Sequence, residues 1–173
     1  RMVRDARAAL DAMNELPFVD AQKIYVVGYG LGAMVSLHLA PFDDRPAGYA
    51  LVSPPTPFCL DSDIAETGGL KRWAQDSMLL PKLGWFVGEE TRVPYDIDEL
   101  LATMAPKPVL VLSPRYDREN PIALTDKSVT AARVVYKLYD AESKLTQSTP
   151  EAYNHFDPTN QKLVVEWLAE TTK

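Results

Sequence analysis

The sequence predicts an α/β fold in which helices cover a mainly parallel β-sheet. Short apolar runs alternate with helical patterns along the 173 residues, and right-handed crossovers between parallel strands produce this alternation. A glycine-rich turn lies directly between the first strand and a helix. An aspartate and a histidine each follow a later strand, so polar groups suited to catalysis lie after strand ends.

The predicted elements follow one another in a regular order. Val3, Leu10, Met13 and Leu16 recur at roughly helical spacing, which predicts an amphipathic helix over residues 2–16, and Pro17 ends it. Strands are predicted at residues 23–27, 48–55, 107–114 and, more weakly, 144–150; helices are predicted at LGAMVSLHLA and at residues 69–80, 96–104, 125–142 and 158–170. Together they predict one domain over residues 1–173 with three layers, α/β/α.

The composition is that of a folded domain, because 46% of the residues are hydrophobic. A net charge of −6 without any block of Lys and Arg argues against nucleic acid and against an anionic membrane surface as partners. No apolar run approaches the roughly 20 residues of a membrane span. The single cysteine, Cys59, cannot form an internal disulfide, and a half-buried apolar role is favoured over a reactive thiol. Nothing resembles a clustered set of metal ligands.

Residues 56–94 form a long connection rich in proline, glycine and aromatic residues. A normal connection between a strand and a helix has about 2 to 6 residues, so this stretch predicts a cap or lid. Four aromatic residues in or directly after this stretch either pack the lid or stack on a sugar ring, and packing is the favoured interpretation. They are Trp73, Trp85, Phe86 and Tyr95.

The turn Gly28-Tyr29-Gly30-Leu31-Gly32 has the context of a nucleophile elbow, G-x-S-x-G, but glycine occupies the central serine position. In an elbow the central residue adopts a strained conformation with positive φ, and the flanking glycines let strand and helix approach closely. Gly30 relieves that strain and removes the attacking side chain. The backbone N–H of Leu31 remains available as an oxyanion donor.

A second interpretation takes the same glycines as a dinucleotide-binding loop. The spacing from Gly28 to Ala33 fits G-x-G-x-x-A after a strand. Such a loop is followed, about 20 residues later, by an acidic residue at the end of the second strand. Here that strand ends in VSPP at residues 52–55, which contains no acid, and the elbow is favoured.

Two later residues complete a possible catalytic set. Asp117 follows the third strand, where it is either an acid that orients a histidine, or a solvated loop residue or helix cap. Of the two histidines, His38 lies inside a helix, whereas His155 lies in the loop before the last helix, a position suited to a general base. The order elbow, acid, histidine is the chain order of the α/β hydrolases.

With these residues the chain resembles the α/β-hydrolase superfamily, close to its dienelactone-hydrolase-like and acetyl-xylan-esterase-like members. The resemblance covers nearly the whole chain and rests on IYVVGYGLGAMVSLHLA, on residues 69–117, and on YNHF before the last helix. It implies Gly30 at the nucleophile position, Asp117 as acid, His155 as base and the Leu31 N–H as an oxyanion donor. It also implies that the strands correspond to strands 5 to 8 of that fold, so an N-terminal segment that would cover the sheet edge is missing.

Three functions follow. The first is a carboxylic-ester hydrolase-like domain for small or carbohydrate-linked esters, inactive as written, since losing a serine nucleophile costs about 10⁶ in turnover. The alternative is a non-catalytic module that binds a ligand or packs a neighbouring domain. A third is slow hydrolysis in which His155 activates water. No cofactor is expected; the expected partners are the ester and the missing segment.

Overall fold

The computed structural model describes residues 1–61 and 68–172 and contains a four-stranded parallel sheet. The strands lie side by side in chain order: β1 (Tyr25–Tyr29), β2 (Gly48–Val52), β3 (Val109–Leu112) and β4 (Leu145–Ser148). The helices are α1 (Met2–Asn14), α2 (Leu31–Leu39), α3 (Ile97–Ala102), α4 (Ile122–Leu138) and α5 (Pro158–Thr171). The predicted α/β fold with a parallel sheet is confirmed.

Helices cover both faces of the sheet. Side chains alternate between the faces of a strand, and in β2 Tyr49 and Leu51 join the larger core, which also contains residues of α2, α3 and α4. Ala50 and Val52 of the same strand point to the other face and pack with α5. The two central strands, β2 and β3, are buried at every position, as the apolar runs predict.

Strand β1 forms one edge of the sheet. It pairs only with β2 among the described residues, and Val27 and Tyr29 are 42% and 40% exposed. An edge strand with exposed apolar residues presents unpaired backbone groups to any further strand. No helix in the described ranges is both long and apolar enough to cross a membrane.

The predicted helix over residues 69–80 is shorter in the structure, which is helical over residues 70–76. The structure has a short helical turn that continues as a π-helix, Arg72–Asp76. The carbonyl of Trp73 then accepts the N–H groups of both Leu79 and Leu80, at 3.0 and 2.9 Å. Met78, directly before Leu79, has a φ of +52°, and this left-handed conformation reverses the chain after the helix.

Other boundaries move by a few residues. The first strand begins and ends two residues later than predicted and therefore includes Gly28 and Tyr29. Helix α4 begins after Pro121, because proline has no N–H to lose at a helix start. It ends before Asp140, which has a φ of +51°.

The long connection between β2 and α3 packs into the larger core instead of standing apart from it. Phe58, Leu70 and Trp73 are buried there. Residues 62–67 of the predicted lid lie outside the described residues. Cys59 is exposed, not half buried as expected.

A buried carboxylate ties the end of α2 to α1. Asp43 accepts hydrogen bonds from Arg45 Nε at 2.8 Å and from a terminal nitrogen of the same guanidinium at 2.6 Å. Arg45 also contacts Asp11 of α1 at 2.6 Å. Because the guanidinium stabilises the ionised form, the pKa of Asp43 falls to about 2.

Replacing Asp43 with asparagine should lower the free energy of unfolding at pH 7 by roughly 2 kcal/mol, because the guanidinium loses its charged acceptor. The folded pKa lies below the unfolded value of about 3.9, so this stabilisation is complete above about pH 4 and is lost toward pH 2. Urea unfolding should therefore show a smaller difference at pH 3 than at pH 7. Asp44→Asn, at an exposed neighbour, is the control. An equal loss in both variants at pH 7 would contradict the assignment.

Candidate active site

The turn between β1 and α2 has the geometry of an elbow. Gly30 has φ +52° and ψ −107°, between the last residue of the strand and the first of the helix. Its N–H donates to the carbonyl of Val52 on β2 at 2.9 Å, and its carbonyl accepts from Met34 at 3.1 Å. A Cβ built on Gly30 meets no atom within 4 Å. A side chain at this position would therefore project into open space.

Gly28 makes the tight turn possible. A Cβ at Gly28 would lie 2.4 Å from the carbonyl carbon of Gly32 and 2.5 Å from the nitrogen of Ala33. Strand and helix therefore touch backbone to backbone here, as expected. A close approach of strand and helix was also expected at Gly32. That expectation is wrong, because a Cβ at Gly32 meets nothing within 4 Å.

Leu31 begins α2 at the end of the sheet where the strands terminate. The first N–H groups of a helix have no carbonyl partner within the helix, and the helix dipole adds partial positive charge to them. The Leu31 N–H therefore has the chemistry of an anion donor. Its role as the oxyanion donor stays a prediction.

Asp117 is buried in the loop after β3, with 5% of its surface exposed. One carboxylate oxygen accepts the backbone N–H groups of Glu119 and Asn120, both at 3.0 Å. The other accepts from the side-chain amide of Asn120, also at 3.0 Å. Asp117 is therefore neither solvated nor the cap of a described helix, and its role as the acid stays a prediction. A carboxylate has about four acceptor sites in all.

His155 is exposed and lines the same cleft as Asp117. Its backbone is held on both sides, because its N–H donates to Tyr153 at 2.8 Å and its carbonyl accepts from Asn160 at 2.7 Å. Within residues 1–61 and 68–172, no hydrogen bond joins its ring to Asp117. The cleft is open, with a volume of about 460 Å³, and also includes Tyr29. The structure thus brings acid and histidine to one cleft beside the elbow without connecting them.

Tyr29 links the elbow to the histidine loop, a role that the sequence analysis missed. Its hydroxyl donates to the carbonyl of Asn154 at 2.9 Å, and its ring stacks on Phe156 with 5.9 Å between centroids. These two residues flank His155. Burial first, and then the negative charges of Asp117 and Glu119, raise the pKa of Tyr29, so the phenol stays protonated and keeps donating. The only sequence signal was its place next to Gly30.

The long connection also contacts the acid loop. Arg72 forms an ion pair with Glu119, and the N–H of Gly68 donates to the carbonyl of Glu119. Both contacts lie two residues from Asp117. The acid loop is therefore held from the side of the connection as well as by its own turn.

His38 lies away from this cleft, in α2, as predicted. Its Nδ1 is 2.9 Å from the carbonyl of Met34 and its Nε2 is 3.0 Å from the hydroxyl of Tyr95. Burial lowers the pKa of His38, which favours the neutral ring. Tyr95 and Trp73 are packed, as favoured, whereas Trp85 is 89% exposed.

The described residues include no group of three or more His, Cys, Asp or Glu side chains placed to hold a metal ion. The chain after β2 is buried at Ser53, Pro54 and Pro55 and offers no carboxylate there for a ribose. The geometry of the turn therefore favours an elbow over a dinucleotide loop.

Comparison with known proteins supports the fold. No family model matches the chain. The polyketide transferase ATR5 of Stachybotrys chlorohalonatus is 32% identical over 116 residues, which cover 58% of this chain and 39% of that protein. A promiscuous CE15 esterase from a marine bacterial metagenome superposes with a TM-score of 0.83 at 16% identity and covers 98% of this chain and 47% of that one.

A CE15 glucuronoyl esterase from Caldicellulosiruptor kristjansonii gives a TM-score of 0.82 at 18% identity and covers 98% of this chain and 49% of that one. The chain thus spans about half the length of these solved structures. At these identities the likeness concerns the fold alone. The chain therefore shares the α/β fold of these solved structures.

Gly28→Ala should lower the free energy of unfolding by roughly 1–3 kcal/mol, because the new methyl group forces strand and helix apart. Gly32→Ala is the matched control, since its methyl group has room and alanine is favoured in a helix by about 0.5–1 kcal/mol. Urea unfolding of both variants measures the difference. Equal stabilities would show that the close approach at Gly28 does not constrain the turn.

Tyr29→Phe keeps the stacked ring and removes one hydrogen bond, so we expect a loss of about 1 kcal/mol. The loss should be local: amide hydrogen exchange at residues 153–156 should accelerate about fivefold while the amides of β2 stay unchanged. Tyr139→Phe, at an exposed tyrosine after α4, is the control. Unchanged exchange in residues 153–156 would mean that Tyr29 does not hold the histidine loop.

Proposed function

We propose that this chain is a carboxylic-ester hydrolase-like domain whose nucleophile position holds Gly30, and that it is inactive toward esters as written. The observation that carries the proposal is the conformation of Gly30. A positive φ, a strand on one side, a helix on the other and open space at Cβ are the features required of a nucleophile, and none of them is required of a plain turn.

The other roles are assigned by position. Asp117 would orient the base, His155 would be the base, and the Leu31 N–H would stabilise the oxyanion. Three hydrogen bonds leave the Asp117 carboxylate about one free acceptor site, which is what a histidine N–H needs. His155 is exposed and must turn toward Asp117 for this contact to form. In the same scheme β1 to β4 correspond to strands 5 to 8 of the fold, and residues 56–94 are its lid.

The substrate class we propose is a small or carbohydrate-linked ester. The solved structures of the same fold include esterases that carry carbohydrate-esterase names. On the cleft, Tyr116 and Tyr153 form an exposed aromatic pair with 5.4 Å between centroids. Exposed rings of this kind offer an apolar face together with a polar edge, which suits a sugar ring. The finer relationship to dienelactone-hydrolase-like and acetyl-xylan-esterase-like proteins belongs to this proposal.

The free edge of β1 adds a partner to the proposal. The exposed Val27 and the edge of β1, which pairs with no second strand among the described residues, suit a further parallel strand. We assign that strand, and the second oxyanion donor, to a preceding segment of the same protein. Its presence would remove the aggregation hazard that an exposed edge creates.

A non-catalytic binding module is the second candidate. It is favoured by the missing contact between Asp117 and His155 and by glycine at the elbow. In this case the cleft binds a ligand without changing it. The two candidates make opposite predictions for a restored serine.

Gly30→Ser should create hydrolysis of a small aryl acetate in the protein that includes the preceding segment, because this proposal assigns the second oxyanion donor to that segment. The hydroxyl has room, although a non-glycine residue at this φ should cost about 1–3 kcal/mol of stability. We expect at least a 10³-fold gain in turnover over the glycine form, since a serine triad supplies about 10⁶. Spectrophotometric release of the aryl alcohol measures it.

Gly32→Ser is the matched control, because it adds the same hydroxyl two residues away without an elbow conformation. In the serine background, Asp117→Asn and His155→Ala should each abolish the gain. A folded Gly30→Ser protein that remains as inactive as Gly32→Ser would instead support the binding module.

A further inference from the structure

A second recess lies at the end of the sheet where the parallel strands begin. It is open, has a volume of about 460 Å³, and is lined by Tyr25, the first residue of β1, and by Thr146 near the start of β4. The last turns of α5 form another of its walls. The elbow and the cleft follow the opposite ends of the strands. A ligand in this recess is therefore remote from the candidate active site.

Two aromatic rings supply the apolar wall of the recess. Tyr25 and Trp167 lie edge to face, with 6.0 Å between centroids and 86° between ring planes. Both side chains are half-buried, so part of each ring remains open to the recess. Such a wall suits a small apolar group, and a tryptophan face also attracts a cation.

The wall formed by the end of α5 suits a positive charge. Glu170 lies there, exposed, in a last turn that contains no basic residue, and the last carbonyls of a helix carry partial negative charge. The Thr171 hydroxyl donates to the carbonyl of Trp167 at 2.8 Å, and the Thr146 hydroxyl donates to the carbonyl of Val109 at 3.1 Å. Because each hydroxyl has a single proton, both oxygens then accept hydrogen bonds from a ligand.

The opposite charge comes from a separate element. Lys144 ends the 3-10 turn before β4 and lines the same recess. Within residues 1–61 and 68–172, neither Lys144 nor Glu170 forms an ion pair, so they do not neutralise each other across the recess. Lys162 and Glu166, one and two turns earlier on α5, do form a pair at 3.7 Å. The recess thus presents a cation and an anion on different walls, which is complementary to a ligand that carries both charges.

We propose that this recess binds a free α-amino acid with an apolar side chain. The ammonium group contacts Glu170 and the end of α5, the carboxylate contacts Lys144, and the side chain packs on the rings of Tyr25 and Trp167. A ligand with a single charge leaves one of the two protein charges without a partner, and a neutral sugar leaves both. The site goes beyond the proposed function and does not depend on the residue at the elbow.

The test compares L-leucine with two analogues that keep its side chain. L-leucinamide lacks the carboxylate, and 4-methylpentanoate lacks the ammonium group. Ligand-observed NMR at about pH 6, where both amines are protonated, gives the three dissociation constants for the protein that includes the preceding segment. We expect L-leucine to bind about fivefold more tightly than either analogue, the upper end of what an exposed ion pair contributes. Equal affinities, or tighter binding of either analogue, would overturn the proposal.

Four variants assign the two charges. Lys144→Met should remove the advantage of L-leucine over L-leucinamide and keep its advantage over 4-methylpentanoate, whereas Glu170→Gln should do the reverse. Lys162→Met and Glu166→Gln are the matched controls, because they change the same two charges on α5 outside the recess, and they should keep both advantages. If the first two variants behave like the controls, the binding site lies elsewhere and the proposal is wrong.

The outcome is independent of the test at the elbow. All of these measurements use the protein with Gly30 in place and no ester. Selective binding of L-leucine together with an inactive Gly30→Ser protein would keep this site and reject the esterase. An active serine form that binds the three probes equally would keep the esterase and reject this site.

Discussion

The contact between the backbone of β1 and the backbone of α2 is the constraint on which the site depends. With 2.4 Å between a hypothetical Cβ at Gly28 and the carbonyl carbon of Gly32, no side chain fits between them. The chain must therefore reverse within one residue, and Gly30 takes the positive φ that this reversal requires. The same reversal points the first N–H groups of α2 toward the end of the sheet and places Tyr29 beside the histidine loop.

The sequence predicts most of this architecture because apolar periodicity reports burial directly. β2 and β3 are continuous apolar runs, and they are buried at every position. The helix predicted over residues 69–80 ends four residues early because the Trp73 carbonyl accepts two later N–H groups. No periodic pattern encodes that choice. At the site, glycine, acid and histidine are visible in the sequence, whereas the link from Tyr29 to Asn154 joins residues that are 125 positions apart. Such a contact depends on the folded sheet.

Glycine at the centre of the elbow changes the energetics as well as the chemistry. A side chain at this φ stores about 1–3 kcal/mol of strain, which the surrounding turn must overcome. Glycine releases that strain and leaves every backbone contact of the turn in place, including the bond from its N–H to Val52. The fold can therefore keep the shape of a catalytic turn without a catalytic side chain. One replacement by glycine removes both the strain and the reactive side chain. The shape of the turn therefore does not depend on the catalytic atom.

The esterase and the binding module then differ at a single oxygen atom. The cleft beside Tyr29 and the first N–H groups of α2 do not depend on a hydroxyl at position 30. A nucleophile adds the covalent step, but the affinity for a ligand comes from apolar area and hydrogen bonds in the cleft. In the glycine form the Tyr29 hydroxyl already joins the turn to the histidine loop through the carbonyl of Asn154. A hydroxyl at position 30 would add the attacking atom without changing that link, so the same turn serves recognition in the glycine form and attack in a serine form.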